Sequence, residues 1–254
     1  MGRAEAGSSF GAAAAQYVEH RPGYARAAVQ WALELAVGSR ALDLGAGTGK
    51  LTQTLMELGA DVVAVEPDAA MLAELHRIVP SVRALAGAAE AIPLPDASVD
   101  AVVVGNALHW FDMDVAGPEI ARVLSPGGVL AGLWNLIDDR VDWVDGLARV
   151  GGMAAAGSWD TPAAWRIAVS TMLPSSDAGQ FGDPELAEFP HSQLRTAETL
   201  AGTLATRSAI LSMGPDDREA QLGEIRTYLA SRPETAVGTF ALPMITGVAR
   251  VQRT

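Results

Sequence analysis

The chain has 254 residues, 49% hydrophobic and 19% charged, the proportions of a globular protein with a sizeable core and not of a disordered one. Its 18 basic and 30 acidic residues leave a formal net charge of −12. That argues against a nucleic-acid or anionic-membrane surface, because phosphate binding needs a dense Lys/Arg patch. With no cysteine, disulfides, thiolate catalysis and Cys-ligated metal centres are excluded. Lys50 is the single lysine, and His20, His76, His109 and His191 show no H-x-x-x-H spacing, so no metal site is expected. No stretch approaches the roughly 18 apolar residues of a membrane span. Ala12–Ala15 is followed at once by Gln16, Glu19, His20 and Arg21, which is not a signal-peptide pattern. A cytoplasmic location is expected, and the chain has neither internal repeats nor a low-complexity linker.

From residue 41 onward, short apolar runs alternate with amphipathic stretches. Ala41–Leu44 reads as a buried strand, and Thr48–Leu58 as a helix with Leu51, Leu55 and Leu58 on one face, stopped by Gly59. Asp61–Glu66 is a second strand. Asp68 caps the next helix, which turns Met71, Leu72, Leu75 and Ile78 inward and ends before Pro80. Ser81–Leu85, Val99–Val104 and Gly128–Trp134 are three further strands, the last after a helix ending at Ser125-Pro126-Gly127-Gly128. This alternation predicts a doubly wound, mostly parallel α/β sheet covered on both faces. Later, Glu185–Leu194 reads as a strand, Thr196–Arg232 as two or three helices and Gly238–Arg253 as a final strand. The helical insertion between the last two strands is expected to shape a pocket, not to form a core of its own, since no Pro/Gly/Ser linker isolates it.

Asp43-Leu44-Gly45-Ala46-Gly47-Thr48-Gly49 lies between a predicted strand and helix, the turn where doubly wound sheets bind ligands. Glycines there permit positive φ and close approach of a ligand to the backbone. The dinucleotide pattern G-x-G-x-x-G needs Gly where Lys50 stands. The phosphate loop G-x-x-x-x-G-K-[ST] needs Gly and Ser/Thr where Leu44 and Leu51 stand. Acidic-x-Gly-x-Gly-x-Gly fits completely. In that form ALDLGAGTG resembles the first motif of the class I S-adenosylmethionine-dependent methyltransferases. VVAVEPD resembles their second motif, AGAAEAIPLPDASVDAVVV their adenine segment and fourth strand, and RVLSPGGVL the entry to their fifth strand. NALHWFD, the segment Phe10–Tyr24 (F-G-x-x-A-x-x-Y-x-x-x-R-P-G-Y) and LPMITGVARVQR are similar to a subgroup related to trans-aconitate methyltransferases.

The resemblance implies a seven-stranded sheet and S-adenosylmethionine as cofactor. Residues 1–30 would be an N-terminal lid, 31–135 the cofactor-binding core, 136–237 a helical substrate cap including a late strand, and 238–254 the final strand, all one domain. Cofactor contacts are expected from Tyr17, Arg21, Asp43, Gly45, Ala46, Gly47, Gly49, Glu66, Pro67, Ala89, Glu90 and Asn106. Glu66, ending the second strand, can accept both hydroxyl protons of a ribose diol. Asp43, between two leucines, needs a partner; the family uses it near the ammonium end of the methionine moiety, a role that can coexist with holding loop N–H groups. Relatives commonly carry Gly-Asp-Ala-Glu at the adenine, whereas this chain has Gly87-Ala88-Ala89-Glu90, leaving the Ala89 backbone, the Glu90 side chain or water. Residues 8–24 are expected to order on cofactor binding, with Pro22 breaking any helix there.

On the acceptor side the candidates are Tyr24, His109, Trp110 and, in the part of the chain least like the family, Arg207. An amine, phenol or hydroxyl acceptor benefits from a base, and His109 is the candidate catalytic residue because imidazole titrates near neutrality; the other reading is a structural hydrogen bond. Trp110 walls the pocket or merely packs. Arg207 binds an acidic substrate or forms a surface ion pair. The leading function is methyl transfer to an O, N or C atom of a small molecule. The alternative is an S-adenosylmethionine-binding protein that does not methylate, such as a biosynthetic cyclase on the same fold. A nucleic-acid methyltransferase lacks support, as no N/D-P-P-Y/F block follows the fourth strand, and Lys50 opposes a nicotinamide oxidoreductase. The expected partner is a small-molecule acceptor, with no nucleic acid, no membrane and a homodimer left open.

Overall fold

A computed structural model describes residues 22–151, 161–174, 179–205, 210 and 212–254. Tyr17, Arg21, Arg207 and most of the expected lid lie outside the described residues. Among those described, seven strands form one sheet: β1 (Arg40–Leu44), β2 (Asp61–Glu66), β3 (Arg83–Ala86), β4 (Val99–Gly105), β5 (Leu124–Ile137), β6 (Glu185–Arg195) and β7 (Phe240–Gln252). Their order is β3-β2-β1-β4-β5-β7-β6. The first five run parallel, and β7 inserts antiparallel between β5 and β6. Chain order reverses between β1 and β4, which places a ligand crevice at the carboxyl ends of those two strands.

The sheet is covered on both faces. On one side, Ala41, Ala101, Val103, Val129 and Leu133 pack against helices α1 (Arg26–Leu33), α2 (Lys50–Glu57) and α3 (Ala69–Ile78). On the other, Leu42, Leu44, Val102, Val104 and Leu130 meet α4 (Met113–Val123) and α6 (Pro162–Ala168). Strands buried on both faces have no polar alternation, which is why these segments read as continuous apolar runs. Asp68 caps α3 as expected, its carboxylate accepting from the N–H groups of Ala70 (2.8 Å) and Met71 (2.9 Å). In α3, Met71 and Leu75 are buried, while Leu72 and Ile78 are half-buried. Likewise in the preceding helix Leu51 and Leu55 are buried and Leu58 only half-buried.

Two expectations change. Helix α2 starts at Lys50 and not Thr48, because Gly49, at φ +89°, occupies its N-cap position in a left-handed conformation. Ser125-Pro126-Gly127-Gly128 does not end a helix: Leu124 already pairs with Val99, and β5 passes through these residues with a register shift before pairing regularly from Val129. The late insertion joins a hydrophobic cluster separate from those on the sheet faces, shared with a helix that precedes β6 and with the start of β7. Trp143, Val144 and Leu147 of α5 (Asp142–Val150), Leu200 and Leu204 of α7 (Ala197–Ala205), and Leu222, Ile225 and Leu229 of α8 (Pro215–Ser231) cluster on Phe240, Leu242 and Met244. This cluster is separate because the first residues of β7 extend past β5, whose pairing with β7 begins at Met244. Helices α5 and α6 were not individually legible in the sequence. Helix α1 spans the boundary expected at residue 30.

Candidate active site

At the end of β1 the chain turns through Gly45–Gly49 into α2. Gly45, Gly47 and Gly49 have φ of +72°, +56° and +89°, a region that side chains with a Cβ rarely adopt. The carbonyl of Val65 accepts from the N–H groups of Gly45 (2.9 Å) and Ala46 (3.1 Å), tying the loop to the end of β2. A Cβ on Gly47 would meet only Met71 Sδ, at 3.9 Å. Space above the loop is therefore open.

Two buried carboxylates flank that space. Glu66 accepts the Gly47 N–H on Oε2 (2.8 Å) and the Asp68 N–H on Oε1 (2.9 Å). Each oxygen retains capacity for a further donor. Burial pushes the Glu66 carboxyl up, and the two backbone donors pull it back. Asp43 is fully buried. Its Oδ2 accepts from Thr52 Oγ1 at 2.6 Å, while Oδ1 has no hydrogen-bond partner among the described residues. Burial pushes the Asp43 carboxyl up to about 7, opposed by the Thr52 hydroxyl and reinforced by the charge of Glu66. The structural partner of Asp43 is Thr52 of α2, and its Oδ1 stays available to a further donor.

The other wall follows β4. Asn106 sits at φ +51°. Its Nδ2 donates to Tyr24 Oη (3.0 Å), and its Oδ1 accepts from the Asn135 N–H (3.1 Å). A 3₁₀ turn over Leu108–Trp110 follows, anchored in the core by Leu108. It carries His109, half-buried, whose ring lies 4.9 Å from that of Trp110, centroid to centroid. Trp110 is 41% exposed. A Cβ on Gly45 would come within 3.0 Å of Ala107 Cβ and 3.5 Å of Phe111 Cζ, so the turn abuts the glycine loop. Glu90 Oε1 accepts from the Asp112 N–H (2.9 Å), linking the Ala89-Glu90 segment to this turn; Ala89 is buried and Pro67 exposed. Thus Asp43, Gly45, Ala46, Gly47, Gly49, Glu66, Asn106 and Tyr24 gather at the carboxyl ends of the central parallel strands, with His109 and Trp110 beside them.

Residues 42–132 match the methyltransferase domain family. An uncharacterized methyltransferase of Mycobacterium tuberculosis is 40% identical over 239 residues, covering 94% of this chain and 93% of that one. The chain belongs to the class I S-adenosylmethionine-dependent methyltransferases. An uncharacterized methyltransferase-like protein of Schizosaccharomyces pombe is 34% identical, over 83% of each chain. The structure of a candidate type II methyltransferase from Anaeromyxobacter dehalogenans superposes with a TM-score of 0.63 at 26% identity, covering 92% of this chain and 97% of that one.

Membership in this methyltransferase class implies S-adenosylmethionine as cofactor, and the residues present fit it. A buried carboxylate oxygen with no partner suits an ammonium group. Glu66 has the acceptor capacity for a ribose diol, and the absence of a side chain at Gly47 leaves the loop open to a ligand there. Thr52, Asn135 and Thr246 were missed by the sequence reading. Each is a polar residue interrupting an apolar face or strand, in Leu51-Thr52, Leu133-Trp134-Asn135-Leu136 and Met244-Ile245-Thr246-Gly247. That interruption is the signal that could have found them. Among the described residues, no helix is long and apolar enough to cross a membrane, and no group of three or more acidic or His side chains is placed to hold a metal.

Proposed function

We propose that this methyltransferase acts on an O, N or C atom of a small molecule in the cytoplasm, with His109 and Trp110 facing the acceptor. The observation that carries this reading is the Leu108–Trp110 turn. It follows the switch-point strand and abuts the glycine loop through Ala107 and Phe111. The cofactor supplies a sulfonium methyl, an electrophile whose leaving group is a neutral thioether. What remains for the chain is alignment and electrostatics. Asp43 holds the ammonium and Glu66 the ribose of the donor, Asn106 and Tyr24 line the side toward the acceptor, and His109 receives a proton where the acceptor carries one. Cap helices α5, α7 and α8 supply the apolar mass over that end of the sheet. The protein's net charge of −12 favours a small acceptor over a nucleic acid.

Incubation with methyl-labelled S-adenosylmethionine and a panel of amines, phenols, hydroxyls and carboxylic acids tests the reading. Transfer of label to a small molecule is the expected result. Binding of the donor with no label leaving it on any acceptor would favour the non-methylating alternative.

A further inference from the structure

Three polar side chains, Asn106 after β4, Asn135 near the carboxyl end of β5 and Thr246 beside it on antiparallel β7, connect the sheet to the segment Pro22–Ala25. Asn135 uses its whole amide: Nδ2 donates to the carbonyls of Pro22 (3.3 Å) and Gly23 (3.2 Å), and Oδ1 accepts from Thr246 Oγ1 (3.0 Å). Its backbone N–H donates to Asn106 Oδ1 (3.1 Å). Thr246, fully buried, also accepts the Ala25 N–H (3.0 Å). Asn106 in turn donates to the Tyr24 hydroxyl. That hydroxyl rests on Gly105, where a Cβ would come within 2.4 Å of it.

We propose that Asn135 and Thr246 are positioning residues that fix Tyr24 and Asn106 at the mouth of the cofactor site, an inference that rests on the methyl-transfer reading of that site. The network has one polarity. Because the Thr246 hydroxyl receives the Ala25 N–H, its own proton goes to Asn135 Oδ1. The Asn135 Nδ2 then faces the carbonyls of Pro22 and Gly23, whose chain direction carries Tyr24 over Gly105. Asn106 is held at both ends of its amide, by the Asn135 N–H and by Tyr24, while its backbone keeps a left-handed φ that asparagine tolerates better than most residues. Removing the hydroxyl of Thr246 leaves a half-buried acceptor, Asn135 Oδ1, and a half-buried donor, the Ala25 N–H, without it at once. The residues involved are far apart in sequence, so their arrangement depends on the sheet being assembled.

Calorimetric titration with S-adenosylhomocysteine, on the full chain, tests this. Thr246→Val, which keeps the shape and loses the hydroxyl, should weaken binding about tenfold, and Thr246→Ser should restore it to within about twofold. Asn135→Asp, which turns two donors into acceptors aimed at carbonyls, should weaken it similarly. Tyr24→Phe combined with Thr246→Val should lose no more than the worse single variant, because both act through one hydroxyl. In the ligand-free protein, the Ala25 amide should exchange slowly in wild type and Thr246→Ser and rapidly in Thr246→Val. Unchanged affinity in both Thr246→Val and Asn135→Asp overturns the proposal, as does a double variant whose losses multiply. A wild-type protein that does not bind S-adenosylhomocysteine overturns the methyl-transfer reading, and this inference with it.

Discussion

Thr52 Oγ1 donates to Asp43 Oδ2 at 2.6 Å and leaves the other oxygen of the same buried carboxylate without a partner among the described residues. A half-satisfied buried carboxylate is costly when charged, and the raising of its pKa from the ordinary 3.8 to about 7 expresses that cost. Between those values the folded chain binds a proton that the unfolded chain has released. Asp43 therefore makes the ligand-free protein less stable as pH rises through that window. Asp43→Asn should abolish this contribution, so that urea denaturation at about pH 5 and about pH 8 shows a smaller loss in the variant than in wild type. An ammonium group beside Asp43 favours the charged form. Binding of S-adenosylhomocysteine should accordingly release a proton below about pH 7, measurable as a dependence of the binding enthalpy on buffer ionisation, and Asp43→Asn should remove that release.

Glu66 links the second strand to the loop through the N–H groups of Gly47 and Asp68. Glu66→Ala removes both acceptors along with those for the ribose. S-adenosylhomocysteine should bind more weakly by about 1.5–3 kcal/mol, the range for a hydrogen bond to a charged group. Calorimetry at neutral pH checks it, and undiminished affinity would exclude Glu66 from the cofactor site.

His109 is the test of the acceptor side. For a neutral amine or hydroxyl acceptor, His109→Ala should lower kcat by about 10²–10⁴ with little change in cofactor affinity. The acidic limb of the pH–rate profile that follows from imidazole protonation should vanish with it. For a carboxylate acceptor there is no proton to remove, and the change should fall on KM instead. Wild-type rates and profile in the variant would leave His109 a packing residue.

At the other end of the parallel strands, Asp100 clasps the starts of β1 and β5. It accepts from the Arg40 backbone N–H (3.1 Å), Nε (3.0 Å) and Nη2 (2.6 Å), and from Ser125 Oγ (3.1 Å). The hydrogen-bonded Arg40 guanidinium holds the Asp100 carboxyl below its usual range. Its stabilising effect is therefore present at neutral pH and fades as pH falls through the depressed value. Asp100→Ala should cost about 1–3 kcal/mol by urea denaturation at neutral pH, the range for stranding hydrogen-bond partners, while cofactor affinity stays near that of wild type because the clasp lies at the other end of the strands.

The parallel half of the sheet was legible because its strands are buried on both faces and its turns are set by local chemistry. Asp61–Glu66 emerged with the predicted bounds, and Asp68 capped the predicted helix. The glycine loop was legible for the same reason, since acidic-x-Gly-x-Gly-x-Gly describes one turn within a few residues. The sequence did not place helix α5, whose apolar residues complete a cluster with α7, α8 and β7. The period of one segment cannot say which distant segment will cover it.

By itself, then, the sequence determined the α/β alternation, the glycine loop and the acidic residues at the carboxyl ends of the first two strands, Glu66 last in β2 and Asp43 next to last in β1, because each follows from the stereochemistry and burial of neighbours in the chain. Only the tertiary structure decided that Thr52 serves Asp43, that Glu66 bends back onto Gly47, and that Tyr24, Asn106, Asn135 and Thr246 share one hydrogen-bonded network. Hydrogen bonds act over about 3 Å with defined direction. Between residues far apart in the chain, that distance is fixed by strand order and register, which no local pattern of residues encodes.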